Sequence, residues 1–146
     1  MKKIFYLIPC YNSQKTISQC LYSIYSKKYN IKVIVINDNS NDNSEVIINS
    51  IKNNLPYKLH LINNKRNVGI SESLNKGLEI ALSENADYIL RLDSDDFNER
   101  GRTDYQVDYL ESNPTKMICT SNANIICGTA IQNSWILGLK SLFENQ

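Results

Sequence analysis

Short apolar runs alternate with stretches of helical period along most of the chain. Strand-like runs lie at Lys3 to Ile8, Lys32 to Ile36, Lys58 to Ile62, Asp87 to Leu92 and Lys116 to Thr120. Between them, Ile17, Leu21 and Ile24 recur at spacings of four and three, and Ile70, Leu74, Leu78 and Leu82 at four. Each of these stretches therefore presents one apolar stripe to a core. Helix starts are marked by Ser13, by Asp42 with Glu45 three residues later in capping-box spacing, and by Ser71. Strands alternating with helices form right-handed βαβ units, which build a parallel sheet covered on both faces. The predicted class is α/β. The rhythm fails after Ser121, where small polar residues mix with Trp135, Ile136, Leu137, Leu139, Leu142 and Phe143. That segment is expected to be a helix docked on the sheet, with an amphipathic membrane or partner contact as the alternative.

Composition narrows the class without changing it. The 146 residues suit one domain, and 42% hydrophobic with 21% charged residues is the balance of a globular chain rather than a disordered one. A formal charge of +1 supplies no field to draw the protein to nucleic acid, which is excluded as a partner. Cys10, Cys20, Cys119 and Cys127 form no C-x-x-C pair, so they read as reduced, buried thiols in a cytoplasmic protein. Lys2 and Lys3 before Ile4 to Ile8 imitate a signal peptide, but Pro9, Asn12 and Gln14 interrupt the run and a first buried strand accounts for it. No run reaches the roughly 18 apolar residues of a membrane span.

In an open parallel sheet, ligands sit beyond the carboxyl ends of the strands. The first strand ends in Pro9-Cys10-Tyr11-Asn12, the second in Asn37-Asp38-Asn39-Ser40 and the fourth in Asp93-Ser94-Asp95-Asp96. The third is followed by the stretch Asn63 to Gly69. In an extended segment Asp93 and Asp95 point the same way and could share a hard cation such as Mg²⁺ or Mn²⁺. The other reading is a solvated acidic turn before a helix. Asp38 serves equally as turn chemistry or as an acceptor for a base or ribose. Asn67-Val68-Gly69 either lets backbone approach a ligand or closes a turn. His60 lies in or at the third strand, away from these loops, and reads as structural.

These residues, in this order, resemble the family 2 glycosyltransferases, inverting enzymes of the GT-A fold. The resemblance runs from Ile4 to about Ser121 through IPCYN at 8–12, CLYSI at 20–24, VIVINDNSNDNS at 33–44, NVGISESLNKGLEIA at 67–81 and ADYILRLDSDD at 86–96. Arg102, Gln106 and ESNP at 111–114 continue it. It implies a Rossmann-like GT-A nucleotide-sugar-binding sandwich, mostly parallel with helices on both faces and incomplete at the C-terminus. Residues 1–121 would form the donor domain and 122–146 a divergent tail, a remnant of the acceptor-binding half.

The resemblance further implies a nucleotide-diphospho-sugar donor and a glycan or lipid-linked acceptor. Pro9, Tyr11, Asn12, Asp38, Asn67, Gly69, Arg91 and Asp93 would hold the donor. Asp93 and Asp95 would hold Mn²⁺ or Mg²⁺, with Asp95 the principal ligand, and Asp96, Arg91 and Arg102 would either lie behind them or face the phosphates. Two departures stand out: Asn37 replaces the first of two adjacent acids, and no proline occupies the stretch Asn98 to Gly101. The family's acceptor half carries an acidic base, often in a Glu-Asp pair, whereas the only acid after Ser121 is Glu144. The expectation is therefore a truncated chain without that base, its catalytic residue unknown. It would be cytoplasmic, with a peripheral contact at the inner face of the membrane, or with a partner subunit, open to the tail. A non-catalytic receiver-like or nucleotide-binding module is the alternative, but a receiver needs acids after the first and third strands, where this chain has Pro-Cys-Tyr-Asn and Asn-Asn-Lys-Arg.

Overall fold

The computed structural model describes residues 1–121 in full and the backbone of 123–127 and 130–134. Two compact units divide the chain, residues 1–107 and 108–146. In the first, β1 (Lys3–Cys10), α1 (Ile17–Tyr22), β2 (Asn30–Asn37), α2 (Ser44–Ile51), β3 (Lys58–Asn63), α3 (Ile70–Ser83) and β4 (Tyr88–Arg91) follow in turn, and α4 (Arg102–Ser112) begins. The sheet order is β3-β2-β1-β4 with every pairing parallel. Four of the five predicted strands thus form as expected, lengthened or trimmed by one or two residues at their ends.

Alternation in the strands divides the core. From β1, Ile4, Tyr6, Ile8 and Cys10 pack on one face with Ile17, Cys20 and Leu21 of α1, Ile48 of α2 and Val107 of α4. Phe5 and Leu7 face the other way, with Ile34 and Ile36 of β2 and Ala81 and Leu74 of α3. The sheet is therefore covered on both faces, and both faces of β1 and β2 are buried because neither strand is an edge. Two fully enclosed polar groups are satisfied locally: the Tyr6 hydroxyl hydrogen-bonds Thr103 Oγ1 and accepts from Asn98 Nδ2, each at 2.9 Å.

α3 approaches the sheet through Gly77. A methyl group there would lie 2.8 Å from Ile36 Cδ1 and 3.2 Å from Leu7 Cδ2, and both of those side chains are buried. Gly77→Val is expected to lower stability by about 3 kcal/mol through overpacking. Denaturant titration measures this directly, and an unchanged midpoint would show that α3 can lift from the sheet without cost.

Several local expectations are corrected. The Ile17-Leu21-Ile24 stripe is not one helix, because α1 stops at Tyr22; Ile24 is still buried, carried inward by a turn in which its N–H donates to Leu21 O at 3.3 Å. The Asp42-Glu45 capping box does not form. Asp42 instead accepts from the N–H groups of Ser44 and Gln14, each at 2.9 Å, while Glu45 accepts from Asn63 Nδ2 at 2.7 Å. α3 begins at Ile70, with Gly69 before it. Lys116 to Thr120 is not a strand: no described strand pairs with it, and Met117 and Ile118 are exposed.

In the second unit, β5 (Ala123–Cys127) and β6 (Ala130–Ser134) form an antiparallel hairpin, Ala123 opposite Ser134 and Cys127 opposite Ala130. The β-branched pair Ile125-Ile126 suits a strand better than the expected helix. The apolar part of the tail, from Trp135 on, lies outside the described residues. Among the described residues no helix is long and apolar enough to cross a membrane.

Candidate functional site

The loops after β1, β2 and β4 and the turn before α3 enclose a cleft of about 700 Å³. Its position beyond the carboxyl ends of the strands follows from the parallel pairing, which brings all four strand ends to one side of the sheet. Pro9, Tyr11, Asn12, Asp38, Asn67, Gly69, Asp93 and Asp95 all line it. Arg91 does not.

Asp38 lies at the end of β2, only 4% exposed. Its Oδ1 accepts from Val68 N–H at 2.9 Å and Asn64 Nδ2 at 2.8 Å, and its Oδ2 from Gly69 N–H at 2.8 Å. Burial pushes this carboxyl upward, but the hydrogen bonds from Val68, Asn64 and Gly69 outweigh it and hold Asp38 below the usual carboxylate range. Asn64 also donates to Ser73 Oγ at 3.0 Å and accepts from Lys76 Nζ at 3.0 Å, which ties the turn to α3. Gly69 has φ +87° and ψ 165°, a conformation that side chains other than hydrogen strain. The Asn67-Val68-Gly69 segment thus both closes a turn and presents backbone to the cleft, with Asp38 as its anchor.

The opposite wall is stitched by asparagines. Asn12, at φ 52°, donates its N–H to Ser40 Oγ at 3.0 Å and accepts from Asn41 N–H at 2.8 Å. Asn37, which replaces an acid of the resembled pattern, is buried; its Oδ1 accepts from Ser40 N–H at 3.2 Å and its Nδ2 donates to Asn63 Oδ1 at 3.0 Å. A carboxylate there would lose the donor to Asn63. Tyr11 is about half exposed at the rim.

Asp93 to Asp96 is not extended. Asp96 N–H donates to Asp93 O at 3.0 Å, closing a turn in which Asp93 and Asp95 both line the cleft and Ser94 between them is buried. Arg91 meets Asp93 two-pronged, Nε to Oδ1 at 3.0 Å and Nη2 to Oδ2 at 3.1 Å, so it reaches the cleft only through that carboxylate. Arg102 also stays behind the wall, donating to Asn98 Oδ1 and, at 3.2 Å, to Arg91 O. Partial burial and the neighbouring charges of Asp95 and Asp93 raise the Asp96 carboxyl. Asp95 is exposed and holds no hydrogen bond among the described residues.

No group of three or more His, Cys, Asp or Glu side chains converges among the described residues. Two hard oxygen donors are nevertheless what Mg²⁺ or Mn²⁺ commonly takes from protein when phosphates complete its shell. The Asp93-Asp95 turn offers two such donors, with Asp95 the less encumbered carboxylate.

The cleft also contains residues that the sequence reading did not name among the donor or cation ligands: Ser13, Lys15, Thr16, Ile70, Ser73 and Ser94, along with Cys10. Lys15 is the one basic side chain among the lining residues. Cys10 and Cys20 lie buried beneath, and burial lifts the Cys20 thiol to about 12, so it is protonated at neutral pH. His60 is on β3, outside the cleft.

The comparisons with known proteins agree with this architecture. Poly-beta-1,6-N-acetyl-D-glucosamine synthase of Staphylococcus epidermidis is 32% identical over 123 residues, 84% of this chain and 29% of that protein. The Staphylococcus aureus (strain COL) synthase is 30% identical over 126 residues, 86% and 29% of the two chains. This chain thus spans about 29% of the length of these relatives. Staphylococcus aureus TarS 1-349 in complex with UDP-GlcNAc superposes with a TM-score of 0.68 at 24% identity, over 78% of this chain and 32% of that one. The mannosyltransferase PcManGT from Pyrobaculum calidifontis, in complex with GDP-Man and Mn²⁺, gives 0.66 at 22%, over 73% and 32%. These two share the fold, which is the expected GT-A architecture. The family model Glycosyl transferase family 2 matches residues 6–135, which displaces the receiver-like alternative: the chain belongs to glycosyl transferase family 2.

Proposed function

We propose that the cleft binds a nucleotide-diphospho-sugar together with a divalent cation, as the donor half of an inverting glycosyltransferase. The observation that carries this reading is the pairing in one cleft of an acidic turn, Asp93 to Asp95, whose Asp95 carboxylate is open, with the backbone turn anchored by Asp38. The nucleoside lies against Pro9 to Asn12 and the 67–69 turn. Because Asp38 already accepts three hydrogen bonds, it acts first as the anchor of that turn, and Asn67, exposed at the cleft, offers an amide to the base. The diphosphate lies toward Asp95, and Lys15 supplies positive charge from the α1 side.

Asp93 and Asp95 would hold the cation, which would supply positive charge where the departing nucleoside diphosphate becomes negative. Arg91 keeps the Asp93 carboxylate in one orientation. In the reaction an acceptor hydroxyl attacks the anomeric carbon as the bond to the phosphate oxygen breaks, with inversion at that carbon; the nucleoside diphosphate leaves and the hydroxyl proton passes to a general base of the acceptor-binding half.

The relatives favour a uridine donor carrying an N-acetylhexosamine, since TarS was solved with UDP-GlcNAc and the synthases are named for an N-acetyl-D-glucosamine polymer. A glycan is the acceptor in that reading. Calorimetry of the purified chain with UDP, GDP and Mn²⁺ tests it. UDP is expected to bind at least tenfold more tightly with Mn²⁺ than with EDTA. Equal binding in the two conditions would remove the cation from the site, and a preference for GDP would reassign the base.

A further inference from the structure

Ser94, the residue between the two proposed cation ligands, is 7% exposed, and its hydroxyl lies 2.7 Å from Ser13 Oγ, itself on a residue 8% exposed. Ser13 Oγ also donates to Tyr11 O at 3.2 Å, so the two hydroxyls and that carbonyl form one hydrogen-bonded chain. The relay runs from the acidic turn to the backbone of Tyr11, on the nucleoside wall. Its midpoint is held independently: Ser13 N–H donates to Ser44 Oγ at 2.8 Å, the Ser44 hydroxyl donates to Asp42, and Gln14 N–H closes on the same carboxylate at 2.9 Å. Beside it, Cys20 Sγ donates to Asp93 O at 3.5 Å.

We infer that the Ser94-Ser13-Tyr11 relay is a positioning latch that sets the distance between the cation-binding turn and the nucleoside wall, with Ser13 and Ser94 as positioning residues. This rests on the donor and cation reading above and assigns how its two halves are held in register. A nucleoside diphosphate has a fixed span from base to phosphate, so the two walls must be correctly spaced before both ends can engage. No carboxylate is involved in the relay. Groups that orient metal ligands from behind typically affect metal affinity by about 10–100-fold.

The test titrates Mn²⁺ against the UDP-bound chain by calorimetry for wild type, Ser13→Ala, Ser94→Ala and the double variant, with UDP affinity in EDTA and thermal midpoints measured in parallel. Each single substitution is expected to raise the half-saturating Mn²⁺ concentration roughly tenfold. The double variant should be no worse than the stronger single, because one relay is cut once. UDP affinity in EDTA is expected to shift less than the Mn²⁺ half-saturation. If the alanine variants unfold, Ser94→Cys, which keeps the shape with a slightly larger atom and weakens the hydrogen bond, is expected to give a smaller shift in the same direction. Unshifted Mn²⁺ titrations in folded variants, or effects that multiply in the double variant, would overturn the latch alone. A wild-type chain with no cation-dependent UDP binding would overturn the donor reading, and the latch with it.

Discussion

Asp95→Asn is expected to abolish the cation dependence of nucleotide binding while leaving the fold intact. The side chain is exposed and holds no hydrogen bond among the described residues, so the substitution disturbs no internal contact. What it removes is one charge and one hard donor from a turn that has two such ligands. Asp93 cannot fully compensate, since both of its oxygens already meet Arg91. The half-saturating Mn²⁺ concentration should therefore rise by more than about a hundredfold, beyond the range typical of groups that merely orient a ligand. UDP affinity in EDTA and the thermal midpoint should match wild type. An unchanged Mn²⁺ titration would take Asp95 out of the site and leave the acidic turn as a solvated loop.

The second large effect is expected at Asp38. Asp38→Asn puts an amide where a carboxylate accepts from Val68 N–H, Asn64 Nδ2 and Gly69 N–H, and the new NH₂ group opposes one of those donors. Losing charge-assisted hydrogen bonds in so enclosed a place should lower stability by about 3 kcal/mol and loosen the 67–69 turn. Unlike Asp95→Asn, it should weaken nucleotide binding with and without Mn²⁺.

The pH dependence provides a second check. The Asp38 carboxyl is depressed in the folded chain, so its contribution is fully present above the unfolded value of about 4 and is lost as pH falls through the lower folded value. The stability difference between wild type and Asp38→Asn should accordingly be constant near neutrality and shrink below about pH 4. A difference that persists unchanged into acid would mean that the Asp38 charge does not hold the turn.

Much of this was readable in the sequence, and what was readable has a local cause. The apolar runs of β1 and β2 are long and unbroken because both faces of those strands are buried, so their number, direction and class followed from the alternation with helical stripes. The acidic loops were legible because a parallel sheet brings its strand ends to one side. The runs that misled were those whose fate depended on a partner: Lys116 to Thr120 has an apolar centre but no strand beside it among the described residues, and Ile24 keeps helical spacing although its helix has already ended.

Hydrogen bonding inside the site followed a different rule. Asn-Asp-Asn-Ser and Asp-Ser-Asp-Asp are short polar strings that suit a turn, a cap or a ligand equally well, and nothing within either string chooses among them. The choice came from residues about 30 to 80 positions away: Val68 and Gly69 for Asp38, and Ser13 for Ser94. The guanidinium of Arg91, expected at the donor, is paired with Asp93, two residues on. The sequence alone determined the α/β class, the family and which loops form the cleft, because periodicity and motif order are properties of the chain. Only the tertiary structure decided which polar side chains are spent on holding those loops and which, like Asp95, are left open to a ligand, because a hydrogen bond is satisfied by whatever folding brings within about 3 Å.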